Sequence, residues 1–330
     1  MHVPTLTTAP ATFYPVFGGQ RRILPAAVPD RFTPQFGTQI SYITPREGQA
    51  QLQHYTYMFR EPGTLGALAP YLRRAFPKGV PIEIYAGSDG SDALSMGIML
   101  LGMLGEEGAK RYPIITSDLV PENMDRSRQG IVGASGKRPT AEAAQQWLRK
   151  QWTVTQFMSK DAITGKVADY IDPDPLPEES HEDLLFKNGA ANPLCPNGVW
   201  SDMAEREFLF RLQPDVKRVL DQTVRFCDEP VDIVEALSHK AQGWRERRKP
   251  RMIMFRNAAY LLSQDDRRQL IDHLKHNVPK GSLLVLGSSD YVEENYIRTW
   301  NYRGSDFLKA LQRAGWYPLQ SVRRAWIKLN

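Results

Sequence analysis

The 330-residue chain contains very little cysteine, with only Cys195 and Cys227. Two thiols cannot form the disulfide framework of a secreted protein of this length, so we expect a reducing, cytoplasmic setting. Long apolar runs are also missing, because the longest, at about residues 94–104, is too short to cross a bilayer. The N-terminus lacks the basic and apolar regions of a signal peptide. We therefore expect no membrane insertion and no secretion.

Strong charge of either sign is missing as well. The formal net charge is +5 and apolar residues make up 42% of the chain, values that are typical of a globular protein with a buried core. The densest basic stretch, at residues 245–251, is interpreted as a solvated loop. Trp147 and Trp152 are interpreted as packing residues rather than a stacking platform for bases. No nucleic-acid partner is therefore expected.

Proline and aromatic residues set residues 1–50 apart from the rest of the chain. Proline at this density excludes a long helix or a central strand, while the interspersed aromatic residues argue against simple disorder. We predict a proline- and aromatic-rich N-terminal arm that packs on the body of the protein, and a partner for this arm is left open. Residues 51–330 are predicted to form one domain, with an irregular insertion at about residues 135–205.

Beyond residue 65 the apolar residues follow regular periods. The sequence predicts helices over residues 65–76, 92–104, about 140–152, 264–276 and 306–314. Apolar runs predict strands over residues 82–86, 114–118, 224–226, 252–256 and 282–286. Alternating strands and helices imply parallel pairing through crossovers. Two further strands at residues 316–329 are too close together for a crossover, so one of them is expected to be antiparallel. The predicted fold class is α/β, a doubly wound, mainly parallel seven-stranded sheet with an antiparallel C-terminal hairpin.

The loop after the first predicted strand, residues 86–92, carries glycines together with acidic and hydroxyl side chains. Ligands of open α/β sheets bind beyond the carboxyl ends of the strands, where the strand order reverses. The glycine spacing fits neither the dinucleotide fingerprint nor a phosphate loop. Gly87 and Gly90 permit a close approach, and the polar side chains suit a ligand with a cation, such as a sulfonium with its ammonium group. The alternative is a plain strand-to-helix turn with Asp92 as the helix N-cap.

Asp118 stands at the end of the second predicted strand. In nucleotide-binding α/β proteins, an acid placed in this way accepts hydrogen bonds from a ribose diol. A cap for the next helix is the alternative, which the following Pro121 and Glu122 also fit.

Six segments of the chain, in order and at compatible distances, resemble motifs of the chemotaxis receptor methyltransferase (CheR) family. They are residues 56–62, 87–95, 116–119, 128–131, 252–262 and 280–290. The motifs that they resemble are T-x-F-F-R-E, C-S-T-G-E-E-P-Y-S, T-D-I-D, R-x-G-x-Y, I-F-C-R-N-V-x-I-Y-F and P-G-G-x-L-x-L-G-x-S-E. The resemblance covers about residues 55–133 and 220–290.

The resemblance implies a Rossmann-like fold that binds S-adenosylmethionine and transfers its methyl group to a carboxylate, on a protein glutamate or a small molecule. By position, it implies that the cofactor is bound by Thr56, Arg60, Gly87, Gly90, Asp92, Asp118, Asp228, Arg256 and Asn257. It implies catalytic roles for Tyr260 and for Arg60, whose guanidinium could hold an acceptor carboxylate bidentately. Arg256 is a second cation here and could instead be a partner of Asp118. No metal site is expected.

The chain also departs from the family's pattern. Ser91 replaces one of two paired acids, and Leu261 stands where a tyrosine is expected, with Tyr260 one place early. Two interpretations follow. The first is an active methyltransferase, and the second is a catalytically inactive relative that keeps the fold, with or without the cofactor site, for binding or regulation.

Overall fold

The computed structural model describes residues 56–134, 140–159, 163–177, 208–238, 249–259, 262–291 and 303–330, together with two short strands nearer the N-terminus. These strands, β1 (Thr12–Tyr14) and β2 (Arg22–Leu24), pair with each other antiparallel. The rest of the predicted N-terminal arm, the second half of the predicted insertion and Tyr260 lie outside the described residues.

The described residues contain ten further strands, which form two sheets. The strands are β3 (Ile82–Tyr85), β4 (Ile114–Ser117), β5 (Ile131–Gly133), β6 (Ile171–Pro175), β7 (Leu209–Leu212), β8 (Val224–Phe226), β9 (Met252–Phe255), β10 (Leu283–Leu286), β11 (Trp316–Pro318) and β12 (Ala325–Lys328). The main sheet has the order β11-β12-β10-β9-β3-β4-β8. Strand β12 runs antiparallel to both of its neighbours, and the other pairs are parallel. The α/β class and the mostly parallel seven-stranded sheet are thus confirmed.

Eight α-helices accompany the sheets in the part of the chain that the structure describes. They are α1 (Pro62–Ala75), α2 (Ser91–Ala109), α3 (Asp125–Arg128), α4 (Ala141–Ser159), α5 (Pro214–Thr223), α6 (Ile233–Ala236), α7 (Gln264–His276) and α8 (Gly304–Arg313). The five predicted helices correspond to α1, α2, α4, α7 and α8. Among the described residues, no helix combines the length and the apolar character needed to cross a bilayer.

Helices cover both faces of the main sheet because its central strands are apolar on both faces. Every residue of β9 is buried, and successive side chains of a strand point to opposite faces. Met252 and Met254 pack in the core that includes α1 and α2, whereas Ile253 and Phe255 pack in the core that includes α7 and α8. Burial on both faces is typical of a parallel strand at the centre of a sheet.

The segment between β4 and β8 is more regular than the sequence predicts. Besides the predicted helix, α4, it contains a second, antiparallel sheet of order β5-β7-β6, which the sequence patterns do not predict. Strand β6 accommodates Pro173 and Pro175 because it lies at an edge of this sheet and its pairing with β7 is interrupted between residues 171 and 175. Trp152 of α4 is buried, with its ring centroid 5.1 Å from that of Phe59. The described part of the predicted insertion thus belongs to the core that includes α1 and α2.

Lys328 in β12 is a buried cation that joins two helix ends. Its ammonium donates hydrogen bonds to the carbonyl oxygens of Leu274 at 3.2 Å, Lys275 at 2.9 Å and Ala314. These carbonyls lie at the C-terminal ends of α7 and α8, where the helix dipole favours a positive charge. Burial lowers the pKa of Lys328 to about 8, so the side chain is still mostly protonated at neutral pH.

Replacing Lys328 with Met keeps an apolar side chain and removes the ammonium group. Three carbonyl oxygens then lose their hydrogen-bond donor. We expect Lys328→Met to lower the free energy of unfolding by about 1–3 kcal/mol. Urea denaturation followed by circular dichroism measures the change. Lys309→Met is the matched control, because the Lys309 side chain on α8 is 63% exposed, and it should change stability by no more than about 0.5 kcal/mol. Equal unfolding curves for the two variants would contradict the role of Lys328.

Candidate functional site

The strand order of the main sheet reverses at the boundary between β3 and β9. From β3 the chain continues to β4 and β8 on one side, whereas β9 and the strands after it lie on the other side. Loops that leave the carboxyl ends of β3 and β9 therefore diverge, and in open α/β sheets such a reversal leaves a crevice. Crevices of this kind are where ligands bind in open α/β sheets.

Left-handed backbone angles concentrate around this edge of the sheet. Within the described residues, the non-glycine positions with a φ of 51–65° are Phe59, Glu61, Ala86, Ser88, Asn257 and Arg324. Each such angle costs about 1–2 kcal/mol relative to a right-handed one. Groups of them occur at functional sites, because the surrounding structure must enforce them. We therefore take the loops before α1, after β3 and after β9 as the candidate site.

A buried guanidinium lies at the centre of these loops. Arg256 directly follows β9, and 1% of its side chain is exposed. Its Nη1 donates to Asp92 Oδ1 at 2.7 Å, and its Nη2 donates to the backbone carbonyl of Arg60 at 2.7 Å. The same Nη2 lies 3.4 Å from Glu61 Oε2. The interpretation of Arg256 as a partner of Asp118 is therefore wrong, because its acidic partners are Asp92 and Glu61.

The Glu61 carboxylate contacts two guanidinium groups and accepts one backbone hydrogen bond. Arg324, from the turn before β12, places its Nη1 3.0 Å from Glu61 Oε2, in addition to the contact with Arg256. The N–H of Ser288 donates to Glu61 Oε1 at 2.7 Å. Burial by itself would raise the pKa of Glu61, but Arg256, Ser288 and Arg324 outweigh it and lower the pKa to about 2. We refer to Glu61, Asp92, Arg256 and Arg324 as the Arg256 network.

The loop after β3 is shaped by its two glycines. A Cβ on Gly87 would lie 2.3 Å from Thr116 Oγ1, so only glycine allows this loop to approach β4. Gly90 has a φ of 86° and is the N-cap of α2. Asp92 therefore lies in the first turn of the helix, and its interpretation as the N-cap is wrong. Asp89 braces the helix start instead, because it accepts the N–H and the hydroxyl of Ser91 at 2.8 and 2.9 Å.

Asp118 ties the loop after β3 to the loop after β4. Its Oδ2 accepts the N–H of Ser88 at 2.9 Å, and its Oδ1 accepts the N–H of Val120 at 3.0 Å. The residue is 2% exposed, and burial raises the pKa of its carboxyl group to about 6. At neutral pH the side chain is thus mostly ionised, and an ionised carboxylate only accepts hydrogen bonds.

Asn257 lies between the loops that follow β9 and β10. Its Oδ1 accepts the N–H of Ser289 at 2.8 Å. Gly287 leaves the space that the amide group occupies, since a Cβ there would lie 2.1 Å from Asn257 Nδ2. Asn257 Nδ2 is buried and has no hydrogen-bond partner among the described residues.

Three further predicted residues have different surroundings. Thr56 is buried, and its Oγ1 also has no hydrogen-bond partner in the described part of the chain. Arg60 is partly exposed, and its backbone carbonyl rather than its guanidinium contacts Arg256. Asp228 follows the edge strand β8 and has an 89% exposed side chain that lies 3.3 Å from Arg128. The structure therefore does not bring Asp228 into the Arg256 network.

Glu61, Arg324 and Asp290 are not among the residues that the sequence predicts for the site. A signal existed for two of them, because Glu61 ends the motif at residues 56–61 and Asp290 ends the segment at residues 280–290. Arg324 lies in the turn before β12, where no motif points to it. Within the described ranges, no group of three or more His, Cys, Asp or Glu side chains could hold a metal ion.

No protein-family model matches the chain, and no curated protein matches its sequence. Fold and site therefore define its class by themselves. The protein is an α/β protein with a mostly parallel sheet and a buried charge network at the carboxyl ends of its central strands.

The ion pairs of Glu61 predict a specific pH dependence of stability. Because the pKa of Glu61 is about 2 in the folded protein, against a usual value of 4.5, its contribution is present above pH 4.5 and is lost as the pH falls toward 2. We expect Glu61→Gln to lower the free energy of unfolding by on the order of 3 kcal/mol at pH 7 and by about half as much or less at pH 3.

Urea unfolding of both proteins at pH 7, 4.5 and 3 measures this effect. Glu107→Gln is the control, because the Glu107 side chain is 85% exposed, and it should resemble the wild type at each pH. A stability difference for Glu61→Gln that stays constant on acidification would show that the ion pairs are not its source.

Proposed function

We propose that the protein is an S-adenosylmethionine-dependent methyltransferase of Rossmann-like fold that transfers a methyl group to a carboxylate, on a protein or a small molecule. The observation that carries the proposal is the main sheet, whose one reversed strand, β12, lies between β10 and β11. A mainly parallel, seven-stranded sheet with an antiparallel C-terminal hairpin is the fold that the sequence patterns predict, and it is compatible with the Rossmann-like fold that the resemblance to the chemotaxis receptor methyltransferases implies. Of the six motif segments, one follows the carboxyl end of β3, and three include the carboxyl ends of β4, β9 and β10.

Two of the residues that the resemblance assigns to the cofactor have unpaired polar atoms. Thr56 Oγ1 and Asn257 Nδ2 are buried, and no residue in the described part of the chain bonds to them. A buried polar group without a partner costs about 1–3 kcal/mol. A ligand that brings hydroxyl, carboxylate or amine groups beside them removes this cost. S-adenosylmethionine carries groups of these kinds, so the residues present fit it.

Arg60 is the guanidinium best suited to the acceptor. The cofactor, when bound, supplies an electrophilic methyl group on a sulfonium, and the chain has to hold a carboxylate in line with it and to exclude water. The side chain of Arg60 is partly exposed, and no acid pairs with it among the described residues. Arg256 is unsuited, because it is buried and already holds Asp92 and Glu61. The proposal therefore assigns acceptor binding to Arg60.

A second candidate function is a catalytically inactive binding or regulatory protein, and one observation favours it. Ser91 replaces one of the two acids expected at the start of α2, and the remaining acid, Asp92, already bonds to Arg256 at 2.7 Å. A carboxylate neutralised in this way attracts a cationic ligand less strongly, because opposite charges at this distance cancel much of its field. The two candidates differ in whether methyl transfer follows binding.

Asp118 provides the test of cofactor binding. We expect Asp118→Ala to lose the hydrogen bonds to a ribose diol, each worth about 1.5–3 kcal/mol at a charged group, so that affinity falls at least about tenfold. Calorimetry with S-adenosylmethionine and S-adenosylhomocysteine measures it. Asp265→Ala, at a 73% exposed side chain on α7, should bind as the wild type does. Unchanged affinity in Asp118→Ala would show that the ribose lies elsewhere.

Arg60 provides the test of catalysis. We expect Arg60→Ala to slow methyl transfer about ten- to a hundredfold through the loss of a charge-assisted pair. Arg60→Lys should also impair transfer, because it keeps the charge but loses the planar fork. Transfer from labelled cofactor to the proteins and small molecules of a cell lysate is the assay, with Arg268→Lys, at a 70% exposed side chain, as the control.

Two outcomes of this assay would change the assignment. A wild-type protein that binds the cofactor but transfers no label would favour the catalytically inactive candidate. An Arg60→Ala variant as active as the wild type would remove the proposed role of Arg60.

A further inference from the structure

Asp290 accepts four backbone hydrogen bonds from two loops. The donors are the N–H groups of Asn257 (2.8 Å) and Gly287 (2.8 Å), which bond to Oδ2, and of Ala258 (3.0 Å) and Ala259 (2.9 Å), which bond to Oδ1. Asp290 belongs to the short 3-10 helix Ser288–Tyr291, which follows β10. One carboxylate therefore joins the loop after β9 to the loop after β10. We refer to this arrangement as the Asp290 clamp.

The clamp requires an ionised carboxylate. Asp290 is 0% exposed, and although burial raises its pKa to about 6, the side chain is ionised at neutral pH and only accepts hydrogen bonds. A buried N–H group without an acceptor costs as much as a lost hydrogen bond. An asparagine of the same shape would turn an NH₂ group toward two of the four donors. The site thus distinguishes Asp from Asn by hydrogen bonding rather than by size.

The clamp fixes both the backbone and the side chain of Asn257. The backbone has a φ of 55°, which its bond to Asp290 helps to hold. The side-chain Oδ1 accepts the N–H of Ser289, the residue next to Asp290. These two bonds run in opposite directions between the same pair of loops, so neither loop can shift without breaking one of them. Arg256, which contacts Asp92 and Glu61, is one residue before Asn257 and therefore belongs to the same loop.

We propose that Asp290 is a positioning residue, which presets Asn257 and Arg256 for ligand binding without touching the ligand itself. The identity of the ligand rests on the proposed function, with S-adenosylhomocysteine as the probe. The effect of Asp290 on the loops after β9 and β10 does not depend on the proposed function, because the opening of these loops can be measured in the protein without ligand.

Asp290→Asn tests the proposal with two independent readouts. Amide hydrogen exchange should become at least about tenfold faster at residues 257–259 and 287, whereas β3 and β4 should stay as protected as in the wild type. In calorimetry, the affinity for S-adenosylhomocysteine should fall at least about tenfold.

Lys328→Met is the matched control for a general loss of stability. Its lost hydrogen bonds lie at the opposite end of the sheet, since the N–H of Lys328 bonds to Ser282 at the amino end of β10. It should destabilise the protein but leave loop exchange and ligand affinity within about twofold of the wild type.

Gly287→Ala is a second variant, which serves if Asp290→Asn does not fold. The added Cβ displaces the amide group of Asn257 and so breaks its bond to Ser289, whereas the four bonds to Asp290 are expected to remain and to hold the loops. It should weaken ligand binding while the two loops stay largely protected from exchange. A Gly287→Ala variant that binds as the wild type does would count against a role for the Asn257 side chain.

Three results are decisive. Faster exchange across the whole sheet in Asp290→Asn, or unchanged ligand affinity despite open loops, overturns the positioning role. If the wild type binds no S-adenosylhomocysteine, the proposed function fails. In that case the exchange data alone decide whether Asp290 holds Asn257, and selective opening of the two loops supports it.

Discussion

The buried guanidinium of Arg256 is the interaction on which the carboxyl end of the main sheet depends. A buried charge is costly unless ionic and hydrogen-bonding partners surround it, and Arg256 has Asp92, Glu61 and the carbonyl of Arg60. These partners come from the first turn of α2 and from the segment before α1. Arg324 adds the second cation, so that two acids face two guanidinium groups. Four separate parts of the chain are thereby fixed relative to one another.

The main sheet could be predicted because its central strands are short apolar runs that helices of clear period separate. The second sheet could not, because Pro173 and Pro175 in β6 have the chemistry of a turn. Their strand conformation depends on an edge position, which only tertiary structure provides. Helix α5 did carry a sequence signal, since a proline begins it and Val216, Val219, Leu220 and Thr223 form its buried face.

The position of the candidate site could be predicted from the sequence, but which charged side chains contact each other there could not. The motifs locate Asp92, Asp118, Arg256 and Asn257 at the ends of the strands, and the structure brings them to that edge. Which neighbour points inward is decided by backbone angles that no local pattern specifies. Phe59 and Glu61 both have a positive φ, and in this conformation Glu61 reaches the buried guanidinium while the side chain of Arg60 remains partly exposed. Ion pairs between residues far apart in the sequence, such as Glu61 and Arg324, also cannot be predicted from a single sequence, because only the tertiary structure brings the two side chains together.

The boundary between β3 and β9 has a consequence for how the candidate site is assembled. Strands β3, β4 and β8 come from residues 82–226, and β9 to β12 come from residues 252–328, so that each of these two segments contributes a continuous block of the main sheet. The two blocks join where Ile82 pairs with Met252 and Ile84 with Met254. Because the Arg256 network spans this junction, neither block alone contains a complete site. The site is therefore complete only when the two segments have paired. A ligand that bound across the junction would stabilise this pairing, because it would bind the paired state and not the separated segments.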